Sequence, residues 1–365
     1  MRCVVLTASI GAGHDLPAEV LRAELAERDP AGEVAVVDCL ALAGGLVERA
    51  INGASFESEL GNLLFDLEHR LLHDVAVTHR AAGRLGEVLA GRPVLRELAA
   101  RRPDVVVSTY PGSTEVLGRL RRRGRLHVPV VAAVTDLAAL RFWAHPGADL
   151  HLVTQAEAID EVRSIAGPGA EVLHVRGFND PRFAHPPSRA AARAALGLPP
   201  DGPVIVVSGG GWGVGDLGGA AAEALAVPEA TVLALCGSRE GVRAALEARF
   251  SGSDRLRVLG FTDRMPDLLA AADVLVHSTA GLTVLEALVT GCSVVSYGWG
   301  RGHIRANNLA FARHGMARVA ATRDDLRGAL RAALADRRAP DPAFAALPTA
   351  AQVLLERYAA RAAAA

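Results

Sequence analysis

Near-continuous runs of valine, leucine and alanine recur down this chain, separated by helical stretches. A strand that is apolar on both its faces must be covered on both, and this is the habit of parallel strands in a doubly wound α/β sheet. The first half supplies such runs at Cys3–Ser9, Val34–Asp38, Val105–Ser108, Val128–Thr135, Leu150–Thr154 and Val172–Val175, with helical patterns at Pro17–Glu27 and Val94–Ala100 between them. The series breaks in a segment rich in proline and turn residues, Gly177 to Pro187. It resumes with Val204–Ser208, Thr231–Cys236, Leu256–Leu259, Val274–His277 and Val294–Tyr297. Each half opens with a strand feeding a glycine-rich loop, Ser9 to His14 and Ser208 to Gly213. The expectation is two Rossmann-like units, 1–178 and 188–347, joined by a linker over 179–187, with a final helix at Ala350–Ala360 after Pro348.

Composition narrows the function classes. The 365 residues are 50% hydrophobic and 22% charged, a soluble globular balance with enough chain for two ordinary cores. A net charge of −1 argues against a general nucleic-acid binder. Every basic side chain is arginine, which reads as coding bias and says little about partners. Cys3, Cys39, Cys236 and Cys292 are dispersed, as expected of reduced structural thiols and not of a zinc cluster or disulfide frame. A strand opening at Cys3 leaves no room ahead of it for a signal peptide, and no apolar run approaches the ~18–20 residues of a spanning helix. A cytoplasmic protein, or one peripheral on the inner face of the membrane, is expected.

The segment from Gly260 to Leu288 carries the most chemistry. A short strand, Val274–Val276, enters a small-residue turn, and a helix opens near Leu282 with Glu286 about one turn in. Unpaired N–H groups and the positive end of the dipole at such a helix start attract a diphosphate. A carboxylate slightly further along can accept two hydrogen bonds from vicinal ribose hydroxyls. An ordinary buried helix start with Glu286 exposed or capping would give the same short pattern.

This segment resembles the donor-binding core of the family 28 glycosyltransferases, which include the monogalactosyl- and processive diacylglycerol enzymes and, more distantly, the peptidoglycan N-acetylglucosaminyltransferase. The resemblance implies a GT-B fold: two Rossmann-like domains facing a cleft, the first (1–178) binding acceptor, the second (188–347) binding donor, and a C-terminal helix (348–365) crossing back to the first. It implies that backbone near Phe261 and Thr262 meets uracil. The turn Thr279, Ala280, Gly281, Leu282 and Thr283 would take the phosphates, and Glu286 the ribose. Gly210 and Gly211, with no side chain to obstruct a ligand, would lie beside the transferred sugar. Relatives present Gly-Gln-Glu-x-x-Asn around the sugar; here Gly302 and Asn307 match, His303 replaces the amide and Ile304 removes the acid. Galactose, glucose, N-acetylglucosamine and a deoxy sugar all remain open.

On the acceptor side the Gly11-Ala12-Gly13-His14 loop resembles the signature of the lipid glycosyltransferases, and its histidine suits a base for an acceptor hydroxyl. Asp136, at the end of the Val130–Val134 run, is a second candidate base, an orienter of His14, or a helix N-cap. The pattern Val134-Thr135-Asp136, then Trp143, His145, Pro146, Asp149 and Val153, is similar to the diacylglycerol enzymes and places Trp143 on the acceptor side. Arg182 could neutralise diphosphate, and Arg119, Arg121, Arg122, Arg123 and Arg125 could meet anionic headgroups, although both also suit solvated arginines. Residues 50–92, with Glu57, Glu59, Asp66, Glu68 and only Phe56 and Phe65 as aromatics, read as a poor membrane-insertion surface.

The sequence contains no D-x-D, the usual carboxylate pair for a divalent metal, so a metal-independent step is expected; the resemblance implies an inverting transfer of a hexose from a UDP-sugar to a lipid, or to a small-molecule acceptor. The UDP-sugar is a co-substrate and no cofactor or metal is implied. Two other classes stay open. One is a catalytically silent nucleotide-sugar-binding partner or a hydrolase or epimerase. The other is a NAD-dependent oxidoreductase, with Asp38 as its ribose acid, although Leu16 stands where the third glycine of G-x-G-x-x-G belongs.

Overall fold

The computed structural model describes residues 1–9, 12–44, 75–298, 300 and 302–362. The chain forms two units, Met1–Asn179 with Leu347–Ala365, and Asp180–Ala346.

In the first unit six parallel strands, β1 (Arg2–Thr7), β2 (Glu33–Asp38), β3 (Val105–Ser108), β4 (Val130–Val134), β5 (Leu150–Val153) and β6 (Val172–His174), lie in the order β2-β1-β3-β4-β5-β6. Alternation along β1 explains its unbroken apolar run. Cys3 and Val5 face Ala18, Leu21 and Leu25 of the helix Ala12–Arg28, while Val4 and Leu6 face Leu117 and Leu120 of the helix Pro111–Arg122. The last helix, Ala350–Ala362, returns to this unit. Its Ala351, Leu354 and Tyr358 are buried with the β1 residues Cys3 and Val5, and the Pro348 carbonyl accepts the Arg176 N–H at 2.9 Å. Full burial of a leucine such as Leu354 stabilises by roughly 1.5–3 kcal/mol, and it acts together with the burial of Ala350, Ala351, Val353 and Tyr358.

The second unit repeats the plan with β7 (Val204–Ser208), β8 (Thr231–Leu235), β9 (Leu256–Leu259), β10 (Val274–His277), β11 (Ser293–Tyr297) and β12 (Arg318–Ala320), ordered β12-β11-β10-β7-β8-β9. Relative to its own first strand this is the 3-2-1-4-5-6 order of a dinucleotide fold, whose direction reverses between β7 and β10.

Three elements differ from the sequence reading. β12 is added as a short edge strand; its three residues hold one branched apolar side chain, too little for a periodic signal. The first helix opens at Ala12 and not at Pro17. Pro17 gives up the bond its N–H would make to the Gly13 carbonyl, and the buried Ala18, Leu21 and Leu25 that follow carry the helix through it. Likewise the pattern at Val94–Ala100 is the end of a helix over Ala76–Arg101 that runs through Pro93, because buried Ala90, Val94 and Leu98 outweigh the lost bond. That helix exposes Val77, Leu85 and Val88, whereas Phe56, Glu57, Glu59, Phe65, Asp66 and Glu68 lie outside the described residues. Among the described residues no helix is long and apolar enough to cross a membrane.

Candidate functional site

The reversal of strand order in the second unit sets two loops side by side, because Ser208 at the end of β7 is in register with His277 at the end of β10. Their strands are ~4.8 Å apart. Ser278 Oγ donates to the Val214 carbonyl at 2.6 Å, and a Cβ on Gly210 would stand 3.1 Å from Thr279 Oγ1. Gly209 has no room for a side chain, since its Cβ would come within 2.6 Å of Gly213 and Val214 backbone. The glycine loop, including Gly210 and Gly211, is thereby folded against the Ser278–Gly281 turn.

That turn then opens the helix Leu282–Val289 through two uncommon conformations. Ala280 has φ 51°, left-handed, and Gly281 has φ 96° with ψ −153°, a region reserved for glycine. The helix start carries no side-chain cap, and a Cβ on Gly281 would meet nothing within 4 Å. Uncapped N–H groups behind open space are what an anion at a helix start requires. Thr279 to Thr283 are half-buried, and Glu286 is 6% exposed, on the fifth helical residue.

Sequence reasoning missed what holds the left-handed turn. The Ala280 N–H donates to His277 Nδ1 at 3.1 Å; His277 Nε2 lies 2.9 Å from Ser296 Oγ, which donates to Asn308 Oδ1 at 2.9 Å. With Nδ1 accepting, the ring is the Nε2–H tautomer, and every bond in the chain is then consistent. The available signal was a histidine closing an otherwise apolar strand, opposite Ser296 in the β10–β11 register.

Burial lowers His277 to about 4 and, with Arg122 and Arg119 nearby, lowers His145 to about 4. An unfolded histidine takes its proton near pH 6.5. The stability contributed by keeping His277 neutral is thus complete above pH 6.5 and is lost as pH falls toward 4. The raised carboxyls of Glu115, Glu24 and Asp15 act in the opposite sense, so the informative quantity is a difference. Between pH 7.5 and 5, urea unfolding should show the native chain losing about 2 kcal/mol more than His277→Gln. Parallel pH profiles for the two proteins would contradict this.

Phe261, 76% exposed, follows β9, three strand spacings or ~14 Å across the sheet from β10. Thr262 Oγ1 beside it accepts the Arg264 N–H at 3.1 Å. His303 is exposed at the start of the helix His303–Arg313, whose N-cap Gly302 has φ 56°. Asn307 is buried and donates its amide to the His303 carbonyl at 3.0 Å, so at least that donor is held by the helix itself. The Arg182 guanidinium forks onto Asp180 and reaches the Asp263 carbonyl, both in its own unit.

In the first unit strand order reverses between β1 and β3. Gly13 and His14 belong to the first turn of the helix that follows β1, not to a loop; Gly11 and the His14 side chain lie outside the described residues. Beside this reversal is an apolar cavity of about 140 Å³, lined by Leu6, Leu40, Leu89, Val94, Tyr110 and Val116 among others. Asp136 caps no helix. It is half-buried after β4 and accepts the Trp143 indole N–H at 2.9 Å. Trp143 is 2% exposed, which corrects its expected role: it positions Asp136 and offers no face to an acceptor. Asp38 caps Cys39–Ala43, accepting from Leu40 N at 2.7 Å, and also takes the Ser9 N–H at 3.3 Å. It therefore works as a cap and not as a dehydrogenase's ribose acid. The arginine run is mostly paired. Arg121 forks onto Asp149 at 3.1 and 2.9 Å, and Arg119, Arg123 and Arg125 converge on buried Glu87 at 3.4, 2.7 and 3.4 Å.

Residues 18–177 match the family model for monogalactosyldiacylglycerol (MGDG) synthase, and residues 213–336 that for glycosyl transferases group 1. The chain is related to processive diacylglycerol beta-glucosyltransferases. It is 25% identical to that of Staphylococcus saprophyticus subsp. saprophyticus over 228 residues, and 23% identical to that of Staphylococcus haemolyticus over 231. Each alignment covers 62% of this chain, which spans 58% of the length of either relative. Among solved structures, Acinetobacter baumannii MurG superposes with a TM-score of 0.59 at 17% identity, covering 98% of this chain and 99% of that one. The spinosyn rhamnosyltransferase SpnG gives 0.55 at 12% identity over 99% and 100%. At such identities the likeness establishes the fold, and that fold is GT-B.

Proposed function

We propose that this chain is a glycosyltransferase that moves a hexose from a UDP-sugar to a hydroxyl of a diacylglycerol-type lipid, with inversion and without a metal ion. The observation that carries the reading is the uncapped, glycine-gated helix start at Gly281, at the reversal of strand order where α/β sheets bind nucleotides. In this reading the second unit holds the donor. Thr279 to Thr283, with Gly210 and Gly211, face the diphosphate, Glu286 takes the ribose hydroxyls, and Phe261 with Thr262 frames the uracil. Three strand spacings separate the two ends, a span that an extended nucleoside diphosphate can bridge. His303 and Asn307 flank the sugar.

The chemistry then follows from charge. As the bond from sugar to phosphate breaks, negative charge grows on the departing diphosphate, and N–H groups fixed at a helix start stabilise it without reorganising. The first unit supplies the acceptor side through Gly11, Gly13, His14 and Asp136. One displacement by a deprotonated hydroxyl inverts the sugar carbon, with His14 taking the proton and Asp136, anchored by Trp143, as the orienting or alternative base. The apolar cavity beside β1 and β3 suits an aliphatic chain and favours a lipid acceptor, reached from the inner membrane face by a peripheral protein.

A donor-by-acceptor screen read by mass spectrometry tests this directly. A hexosylated diacylglycerol formed from a UDP-sugar, undiminished by EDTA, is the expected product. A product formed only on soluble acceptors would replace the lipid reading. Strict dependence on Mg²⁺ would overturn the metal-free step, and UDP binding without any transfer would favour a silent binding partner.

A further inference from the structure

We propose that the first unit carries a second ligand site, a pocket for a phosphate group walled by Arg80, Arg84, Arg122 and Arg141 over a floor of Glu115 and His145. The cavity measures about 440 Å³ and lies among the helices Ala76–Arg101, Pro111–Arg122 and Ile159–Ala166 and the Arg141–Pro146 segment that follows β4, next to the Trp143 that anchors Asp136. A ligand there takes no part in the proposed transfer step.

Charge is the first argument. Five guanidiniums line the cavity against one carboxylate. Arg119 is already satisfied by Glu115 at 2.9 Å and Glu87 at 3.4 Å. Arg80, Arg84, Arg122 and Arg141 make no ion pair among the described residues, in contrast with Arg121, Arg123 and Arg125 nearby. Four exposed guanidiniums without a carboxylate partner around one cavity make a positive site, its repulsion moderated by solvent and relieved further by an anion of more than one charge. Guanidinium forks match phosphate oxygens in pairs, and a phosphate offers both the charge and the oxygens.

The second argument is that the pocket is built. A Cβ at Gly83 would stand 2.2 Å from Glu115 Oε1, and one at Gly118 would stand 2.1 Å from His145 Nδ1. Glycine is a poor choice inside a helix, and here two helices accept it where the floor side chains need the space. Glu115 is 3% exposed, with His79 Nε2 at 3.8 Å and His145 Nε2 at 3.9 Å. His79 Nδ1 is buried and has no hydrogen-bond partner, an orphaned polar atom in a residue of the pocket wall.

A soluble phosphorylated ligand and a phospholipid headgroup present the same chemistry, and two arms distinguish them. The full chain, with UDP present to occupy the nucleotide site, is titrated calorimetrically with inorganic phosphate. In parallel it is floated with vesicles of phosphatidylcholine, with and without phosphatidic acid. Binding is expected in at least one arm: phosphate alone identifies a soluble ligand, phosphatidic acid alone a headgroup. Arg122→Ala with Arg141→Ala, both exposed and compatible with folding, should weaken that binding by roughly tenfold or more. The control pair Arg313→Ala with Arg331→Ala should not. Absence of binding in both arms, an unaffected double variant, or an equal loss in the control pair would overturn the site.

Discussion

Replacing His14 by alanine is expected to lower turnover by roughly 10²- to 10⁴-fold, the usual span for a lost general base, and to change UDP affinity little. The residue begins the helix after β1, beside the reversal of strand order in the first unit, whereas UDP is assigned to the second. Imidazole is the side chain whose ordinary proton exchange falls nearest neutral pH, which suits a group that must take a proton and release it afterwards. Asp136 is less free to do so, since one oxygen already accepts the Trp143 N–H and that ring is buried. Asp136→Asn should therefore cost less turnover than His14→Ala. Single-turnover kinetics with calorimetry for UDP separates the two effects. Unchanged turnover in His14→Ala would remove that residue from the mechanism, and the reverse ranking would make Asp136 the base.

The second large effect is expected at Gly281. With φ 96° and ψ −153° it occupies a backbone region closed to branched side chains, although open space lies in front of it. Valine there would not clash with a neighbour; it would turn the helix start away from its present direction. Strain of this kind amounts to ~1–3 kcal/mol, and the upper figure corresponds to about a hundredfold in affinity. Gly281→Val is thus expected to weaken UDP by about that factor, measured by calorimetry, with circular dichroism showing the fold retained. Gly252→Val, at an exposed turn glycine with nothing within 4 Å, is the matched control. UDP affinity within threefold of the native value in Gly281→Val would detach the phosphates from this turn.

Much of the fold was legible because its signals are local. The strands of both sheets stand out wherever both faces are covered, since every residue of such a strand must then be apolar. Two prolines misplaced helix ends, Pro17 and Pro93, because the missing N–H is visible in sequence and the compensating packing is not. β12 escaped notice for want of length. The site divides in the same way. The small-residue turn at Gly281 and the carboxylate Glu286 one turn into the helix are visible in local spacing, but Trp143, expected on the acceptor side, is buried with its N–H on Asp136.

Sequence alone determined the alternation of strands and helices, the paired glycine loops and the small-residue turn ahead of Leu282, because each depends on residues a few positions apart. Only tertiary structure decided the chain from Ala280 through His277 and Ser296 to Asn308, the fate of the arginine run, and the pocket over Glu115. Those depend on which strands become neighbours and in what register. Parallel pairing brings together residues tens of positions apart, and no local pattern records the partner.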